Sequence, residues 1–361
     1  MNLSHLPNPS LSETLRQAKW AFTTRRVPRP LASGLDRDFS HARAGDLVLA
    51  EVVELGHHTG LQLASRRRAD LYPGDRIVVC LGNRYAPDQF EAVAELRGDE
   101  LDLVAAGGLA GRVLVAHTRM SPPTRLRPLG LLCDAAGARL NLDRFALTPE
   151  PGQRRPPVIA VLGTSMNSGK TTTAAALIHG LARAGLKVGA AKVTGTGAFA
   201  DPHMFEDAGA LEVIDFCDFG YASTYRMTLP SVERVLEASI EHLCGMDAIV
   251  IEVADGLFQR ETAPLLRSPV FAQMVDACLF AAPDALSAVH GEHLLRGIGL
   301  NVLAVSGLLT LSPLACAEAA EAIDAEVLTR EALWNPQIAR GLLALSTSAP
   351  AGRRAPMECA A

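Results

Sequence analysis

Paired cysteines are missing from this chain. Its 361 residues include seven cysteines, Cys80, Cys133, Cys217, Cys244, Cys278, Cys316 and Cys359, each standing alone. With no C-x-x-C and no paired spacing near histidines, neither a disulfide framework nor a zinc site is indicated, and most read as small buried hydrophobes. An uncharged apolar run near the roughly 18 residues of a membrane span is missing too, and the polar start MNLSHLPNPSLSETLRQAKW has no apolar signal core. Nor does one sign of charge dominate. The 34 basic and 39 acidic residues give a formal charge of -5 and a pI of about 6.1, no footprint for nucleic acid or an anionic membrane. The expectation is a cytoplasmic protein with small-molecule or protein partners, and with neither nucleic acid nor membrane among them.

What is present is an ordinary globular composition, 48% hydrophobic and 20% charged, long enough for two or three domains. Residues 1–40 read as an N-terminal arm, with a helical candidate at Ser12 to Phe22 and a basic run TTRRVPRP that is either solvated surface or a lure for phosphate. Residues 41–150 read as a small β-barrel or sandwich. Short apolar or alternating runs at 47–55, 75–81, 89–96, 100–106 and 112–118 are separated by Gly, Pro and Asp. Its loop GNRYAPDQFEA (82–92) suits a ligand contact and a self-satisfied turn equally well. TPEPGQRRPP then continues neither strand nor helix and marks a boundary. From 156 to 345 apolar strands alternate with longer helices. That is the texture of an α/β doubly wound, mainly parallel sheet. Residues 346–361 read as a flexible tail.

The second domain opens on VIAVLGTSMNSGKTTT (158–173), an apolar strand, a Gly-rich loop ending Gly-Lys-Thr, and a helix. This is the form of a phosphate-binding loop, in which backbone N–H groups and the positive end of a helix dipole face an anion. Lys170 would reach the terminal phosphates and the Thr171 hydroxyl would ligand Mg²⁺. Gly163, Thr164, Asn167, Ser168, Gly169, Lys170, Thr171 and Thr172 form the expected nucleotide-binding set. The standard pattern places glycine where this chain has Thr164, and the glycine stands one step earlier at Gly163.

Ligands of open α/β sheets bind at the carboxyl ends of the strands. After the second strand of this domain comes Lys192-Val-Thr-Gly-Thr-Gly, followed by Asp201, His203, Glu206 and Asp207. It is a solvated polar loop or, with Thr194, Gly195 and Thr196, a place for an anionic substrate and Mg²⁺. Glu252 ends the strand DAIVIEV in the Walker B manner, and burying it in that run without a cation would be unfavourable. Asp255 and Arg260 follow, as a surface pair or as substrate contacts. DFCDFGYASTYRM (215–227), with Ser223 and Thr224, reads as a loop for substrate recognition or for simple aromatic packing.

The loop beginning Gly163-Thr164 resembles the long phosphate loop of dethiobiotin synthetase, which also starts Gly-Thr and runs five residues to Gly-Lys-Thr. Lys192-Val-Thr-Gly-Thr-Gly is similar to that family's Lys-Pro-Val loop, Glu206-Asp207-Ala208 to its Ser-Asp-Ala segment, and Val250-Ile251-Glu252 to its Val-Glu-Gly-Ala-Gly-Gly segment. The resemblance covers about 155–330. It implies that Lys170 contacts phosphates, that Thr171, Asp207 and Glu252 surround Mg²⁺, and that Lys192 faces the carboxylate being activated. Departures are Val253-Ala254-Asp255-Gly256 in place of the glycine-rich run, Ser306 in place of a base-reading asparagine, and the preceding β domain.

The function expected from this pattern is an ATP- and Mg²⁺-dependent ligase or amidoligase-like enzyme. It would phosphorylate a small carboxylate or carbamate, with Lys170, Lys192 and Glu252 as its catalytic groups, and would form a homodimer as dethiobiotin synthetases do. One alternative is a nucleotide-dependent switch or cofactor-maturation factor. Another is an acyl transferase holding the pyrophosphate of coenzyme A in the loop.

Overall fold

The computed structural model describes residues 10–96, 98–149 and 155–348. The expected tail beyond Ser348 and most of the boundary stretch 150–154 lie outside the described residues. The chain divides into two compact units. Unit 1 comprises residues up to Leu147 together with Thr196–Phe199 and Cys217–Ser223, and unit 2 comprises Thr148–Gly195, Ala200–Phe216 and the chain from Thr224 onward. Among the described residues the six cysteines form no disulfide, and no helix is long and apolar enough to cross a membrane.

Unit 1 is built on β1 (Leu47–Glu54), β2 (Arg76–Leu81), β3 (Leu101–Ala105), β4 (Leu109–Ala116) and β5 (Thr124–Cys133). Antiparallel pairs link β2–β1, β1–β5, β5–β3 and β3–β4, and a short parallel pairing of Leu109–Ala110 with Cys80–Leu81 joins β4 back to β2. The five strands therefore close into a barrel, which removes their free edges. Alternate residues separate two cores. Val48, Ala50, Val52, Ile77, Val79, Leu103 and Ala110 share one, while Leu47, Leu49, Val78, Cys80 and Val104 join Leu15, Trp20, Val27 and Leu140 in the other. Both faces are covered along most of their length, so Leu47–Ala50 of β1 and Ile77–Leu81 of β2 are continuous apolar runs.

The outer cover is supplied by the segment expected to be an arm. Ser10 caps a helix over Leu11–Gln17, accepting from Glu13 N at 3.3 Å. The helix is shorter than the sequence pattern indicates because Lys19–Trp20 are drawn into parallel pairing with Ile77–Val78. Arg25 of the basic run is paired within unit 1, its Nη2 lying 2.7 Å from Asp218 Oδ2, with Arg26 at 3.8 Å from the same carboxylate. Strand β5 is missing from the sequence expectation because Pro128 interrupts it. The proline is tolerated at a register shift between Pro128 and Gly130, and it falls between the stretches of β5 that pair with β3 and with Gly34–Asp36.

In the connection after β1 His58 is held neutral. Burial foremost, then the Arg84 guanidinium and His57, pulls its pKa from 6.5 to about 3. Its Nε2 lies 3.1 Å from Arg84 Nη1 and 3.0 Å from the Val104 carbonyl. Between these two pKa values the unfolded chain binds a proton that the folded chain refuses, so stability falls as pH drops from about 6.5 toward 3. Urea midpoints measured across that window should decline for the parent and decline less for His58→Gln. Parallel declines would rule His58 out as the cause.

Unit 2 is a parallel sheet. Its strands are β6 (Val158–Gly163), β7 (Val188–Lys192), β8 (Glu212–Asp215), β9 (Ala248–Glu252), β10 (Ala277–Ala281), β11 (Val302–Ser306) and β12 (Glu326–Val327), in the order β8-β7-β9-β6-β10-β11-β12. Every residue of β6, β9 and β10 is buried, as a sheet covered on both faces requires. Helix α1 (Lys170–Arg183) buries Ala174, Leu177, Ile178 and Leu181, one stripe at helical spacing, against β6 and β9 residues such as Ile159 and Val250. Helix α2 (Ala200–Asp207), which the sequence pattern does not announce, follows β7.

Candidate phosphate-binding site

The loop between β6 and α1 is fixed by close backbone approach. A Cβ on Gly163 would lie 2.3 Å from Ser168 Oγ and 2.7 Å from Lys170 Cγ, so only glycine lets the loop fold back over its own start. Gly169 takes φ 98° and its carbonyl accepts the first helical bond, from Thr173 N at 2.9 Å. Helix α1 thus begins with its unsatisfied N–H groups at the loop, the arrangement that attracts an anion. The turn after β9 backs the loop from the other side. A Cβ on Gly256 would sit 2.2 Å from the Thr164 carbonyl oxygen.

Strand register gathers the charged groups. Lys192 is level with Glu252, and Glu252 with Val161, across β7, β9 and β6. Lys170 Nζ donates to the Ser165 carbonyl at 2.7 Å, tucked under its own loop. Burial lowers its pKa, partly offset by Glu252 and Asp255. Lys192 Nζ is ion-paired with Asp201 and lies 3.7 Å from Glu252 Oε1. Burial opposes its charge, but Asp201 and Glu252 outweigh burial and hold the ammonium protonated. Glu252 is 2% exposed, and burial raises its pKa against the pull of Lys192, Lys170 and a hydrogen bond from Thr171.

Three buried oxygens here have no hydrogen-bond partner among the described residues: Thr164 Oγ1, Ser168 Oγ and Glu252 Oε2. Buried polar atoms are rarely left so, and a cluster of them calls for a group that is absent from the protein itself. The Thr171 hydroxyl and Glu252 carboxylate are hard oxygen donors that fit Mg²⁺, and the loop N–H groups fit phosphate.

The other expected residues divide. Thr194 is buried and accepts from Ala254 N at 2.8 Å, while Gly195 N donates to Thr224 Oγ1 at 2.8 Å, so these three tie the β7 turn to its neighbours in unit 2. Thr196 and Ser223 bridge each other within unit 1. Asn167, Thr172 and Arg260 are exposed. Asp207, assigned to the metal through the resemblance, is exposed at the end of α2. Asp201, about 9 Å back along the helix at 1.5 Å per residue, is the acid that meets Lys192. Asp201 stands in the polar stretch after β7, but no motif separates it from its acidic neighbours. Gly256 was equally hidden, since close approach is invisible until β9 and the loop are side by side.

The loop strand β6 lies directly beside the acidic strand β9, the two running parallel and ending level with the loop. Unit 2 has a P-loop α/β fold. No protein-family model matches the sequence, and no curated protein matches it. Solved structures that resemble it include the signal recognition particle receptor FtsY from Elizabethkingia anophelis, at 16% identity and TM-score 0.35 over 54% of this chain and 68% of that one. The signal recognition particle 54 kDa protein from Aeropyrum pernix K1 in complex with GDP aligns at 21% identity and TM-score 0.36, over 55% of this chain and 50% of its own. Chloroplast FtsY from Physcomitrella patens aligns at 15% identity and TM-score 0.36, over 56% of this chain and 70% of its own. These likenesses are partial, and the description of unit 2 rests on its own sheet order and loop.

Proposed function

We propose that the loop Gly163–Thr171 binds the phosphates of a nucleoside triphosphate, with Mg²⁺ held by Thr171 and Glu252, and that hydrolysis serves as a conformational switch. The supporting observation is the engagement of Lys192 by both Asp201 and Glu252. A cation that takes Glu252 as a ligand competes with Lys192 for that carboxylate. Loading the site therefore alters the pair formed with Asp201, and losing the terminal phosphate reverses the change. Lys170 would leave the Ser165 carbonyl to follow the phosphates, and the N–H groups at the start of α1 would neutralise charge on the leaving oxygens. Mg²⁺, when bound, would supply charge neutralisation at the phosphates.

A second reading, ATP-dependent activation of a small carboxylate, is favoured by the level register of Lys192 and Glu252. Once freed from Asp201, Lys192 would stand one strand from Glu252, able to face a carboxylate beside the terminal phosphate. Thermal-shift measurements with ATP, GTP and coenzyme A, with and without Mg²⁺, test both. A triphosphate at a hundred times its Kd should add about 2.7 kcal/mol of stability, and at one fixed triphosphate concentration the shift should be larger with Mg²⁺ than without. Single-turnover phosphate release with no further product supports the switch, and ADP formation that depends on an added carboxylate supports the ligase. A shift with coenzyme A and none with triphosphates would overturn both.

A further inference from the structure

The turn after β9 holds Asp255 in the left-handed region, at φ 65°. Four residues other than glycine take positive φ among the described residues, and two of them, Asn167 and Asp255, lie in the phosphate loop and in the turn that backs it. A side chain makes this conformation unfavourable relative to glycine, although aspartate and asparagine tolerate it better than most. A turn that needed only the shape would be served better by glycine at 255, as it is at Gly256. Strain of this kind persists where the surroundings enforce it, and it collects at functional sites.

The surroundings enforce it from both sides. Ala254 N donates to Thr194 Oγ1 at 2.8 Å, and the Ala254 carbonyl accepts from Thr262 Oγ1 at 3.2 Å. Gly256 abuts the Thr164 carbonyl oxygen, and its own carbonyl accepts from Gln259 N at 3.0 Å. A Cβ on Gly195 would lie 3.1 Å from Ala254 Cβ and 3.6 Å from Lys192 Nζ, so the residue before Asp255 stands beside that ammonium. Asp255 is thus clamped between the Lys192 turn and the start of the phosphate loop, and its carboxylate favours the charge on both Lys170 and Lys192. The unpartnered Thr164 Oγ1 and Glu252 Oε2 belong to the segments on either side of it. The other two acids here, Asp201 and Glu252, are both engaged with Lys192.

We propose that Asp255 is a catalytic residue, which orients the attacking water and takes its proton as the terminal phosphate is cleaved. This rests on the hydrolysis reading above. The water oxygen bonds to the terminal phosphorus, the bond from that phosphorus to the bridging oxygen breaks, and its electron pair leaves on the nucleoside diphosphate. The proton lost by the water passes to the Asp255 carboxylate, which returns it to the released phosphate.

The test compares the full chain with Asp255→Asn and Asp255→Gly, measuring phosphate release from ATP and GTP and calorimetric binding of their non-hydrolysable imido analogues. Both substitutions keep the left-handed turn, asparagine by the tolerance it shares with aspartate and glycine by lacking a Cβ, and both remove the carboxylate. Each should release phosphate about 10²-fold more slowly, the scale of a lost proton acceptor. Analogue binding should stay within about threefold of the parent, or tighten as a negative charge departs. Parent turnover in either variant would make Asp255 a former of the turn alone and overturn the proposal while leaving the hydrolysis reading intact. A loss of analogue binding as large as the loss of turnover overturns it as well, since Asp255 would then act on binding and not on the step. A parent that binds the analogues but releases no phosphate from either nucleotide until a carboxylate is added would overturn the hydrolysis reading and this proposal together.

Discussion

Lys170→Ala should weaken triphosphate binding about a hundredfold while leaving the folded protein within about 1 kcal/mol of its parent stability. Lys170 is 6% exposed, and burial lowers its pKa despite Glu252 and Asp255 nearby. A lowered ammonium pKa means that the folded environment disfavours the charge, so deleting it removes no net electrostatic support. The Ser165 carbonyl that loses its donor belongs to an exposed residue, and water can replace the bond. What vanishes is the one cation of the loop that can follow a terminal phosphate. Chemical denaturation and calorimetry on the same variant separate the two effects. A variant that binds ATP and GTP as the parent does would remove Lys170 from the site, and with it the triphosphate reading.

Glu252→Gln carries the second large effect. It keeps the shape of the side chain and removes the buried charge beside Thr171 and Lys192. Turnover should fall by about 10²- to 10³-fold, the scale of losing one charge-stabilising group at a phosphoryl-transfer site. Triphosphate binding measured without Mg²⁺ should hold or tighten, since a negative charge near the phosphates is gone. The enhancement by Mg²⁺ should disappear. Lys192 keeps Asp201 as partner, which guards against gross unfolding. Titrating Mg²⁺ against nucleotide affinity in parent and variant decides the matter, and an unchanged Mg²⁺ dependence would dismiss Glu252 as its ligand.

The loop and the strands on either side of it could be read directly, because Gly163, Gly169, Lys170 and Thr171 follow a spacing set by backbone geometry and a buried strand admits only apolar residues. Glu252 could be read for the same reason, as one charge in an apolar run. Asp201 could not be singled out, since its role depends on where α2 begins, and a stretch holding Asp201, Glu206 and Asp207 offers several acids of equal local merit. Strand β5 was hidden by Pro128, whose local preference is overruled where partner strands change. Thr196 and Ser223 follow strands of the parallel sheet, which offers their segments as substrate contacts or as plain polar and packing loops. Composition carries no sign that their short segments belong to unit 1.

Those short segments give the chain an order of assembly. Unit 1 is completed by Thr196–Phe199 and Cys217–Ser223, which supply the Phe199 N–H to Gln62 at 2.8 Å, the Asp218 carboxylate to Arg25, and Ala222 to the outer core. A ribosome that has made residues up to Leu147 has synthesised all five barrel strands but not the pieces that finish the unit. By the time Ser223 emerges, β6, α1 and β7 have been synthesised as well. N-terminal domains usually fold first during translation, but here the first domain must wait for part of the second. A protein cut or circularly permuted at the proline-rich stretch near 150 would be divided into two halves that do not coincide with the two units.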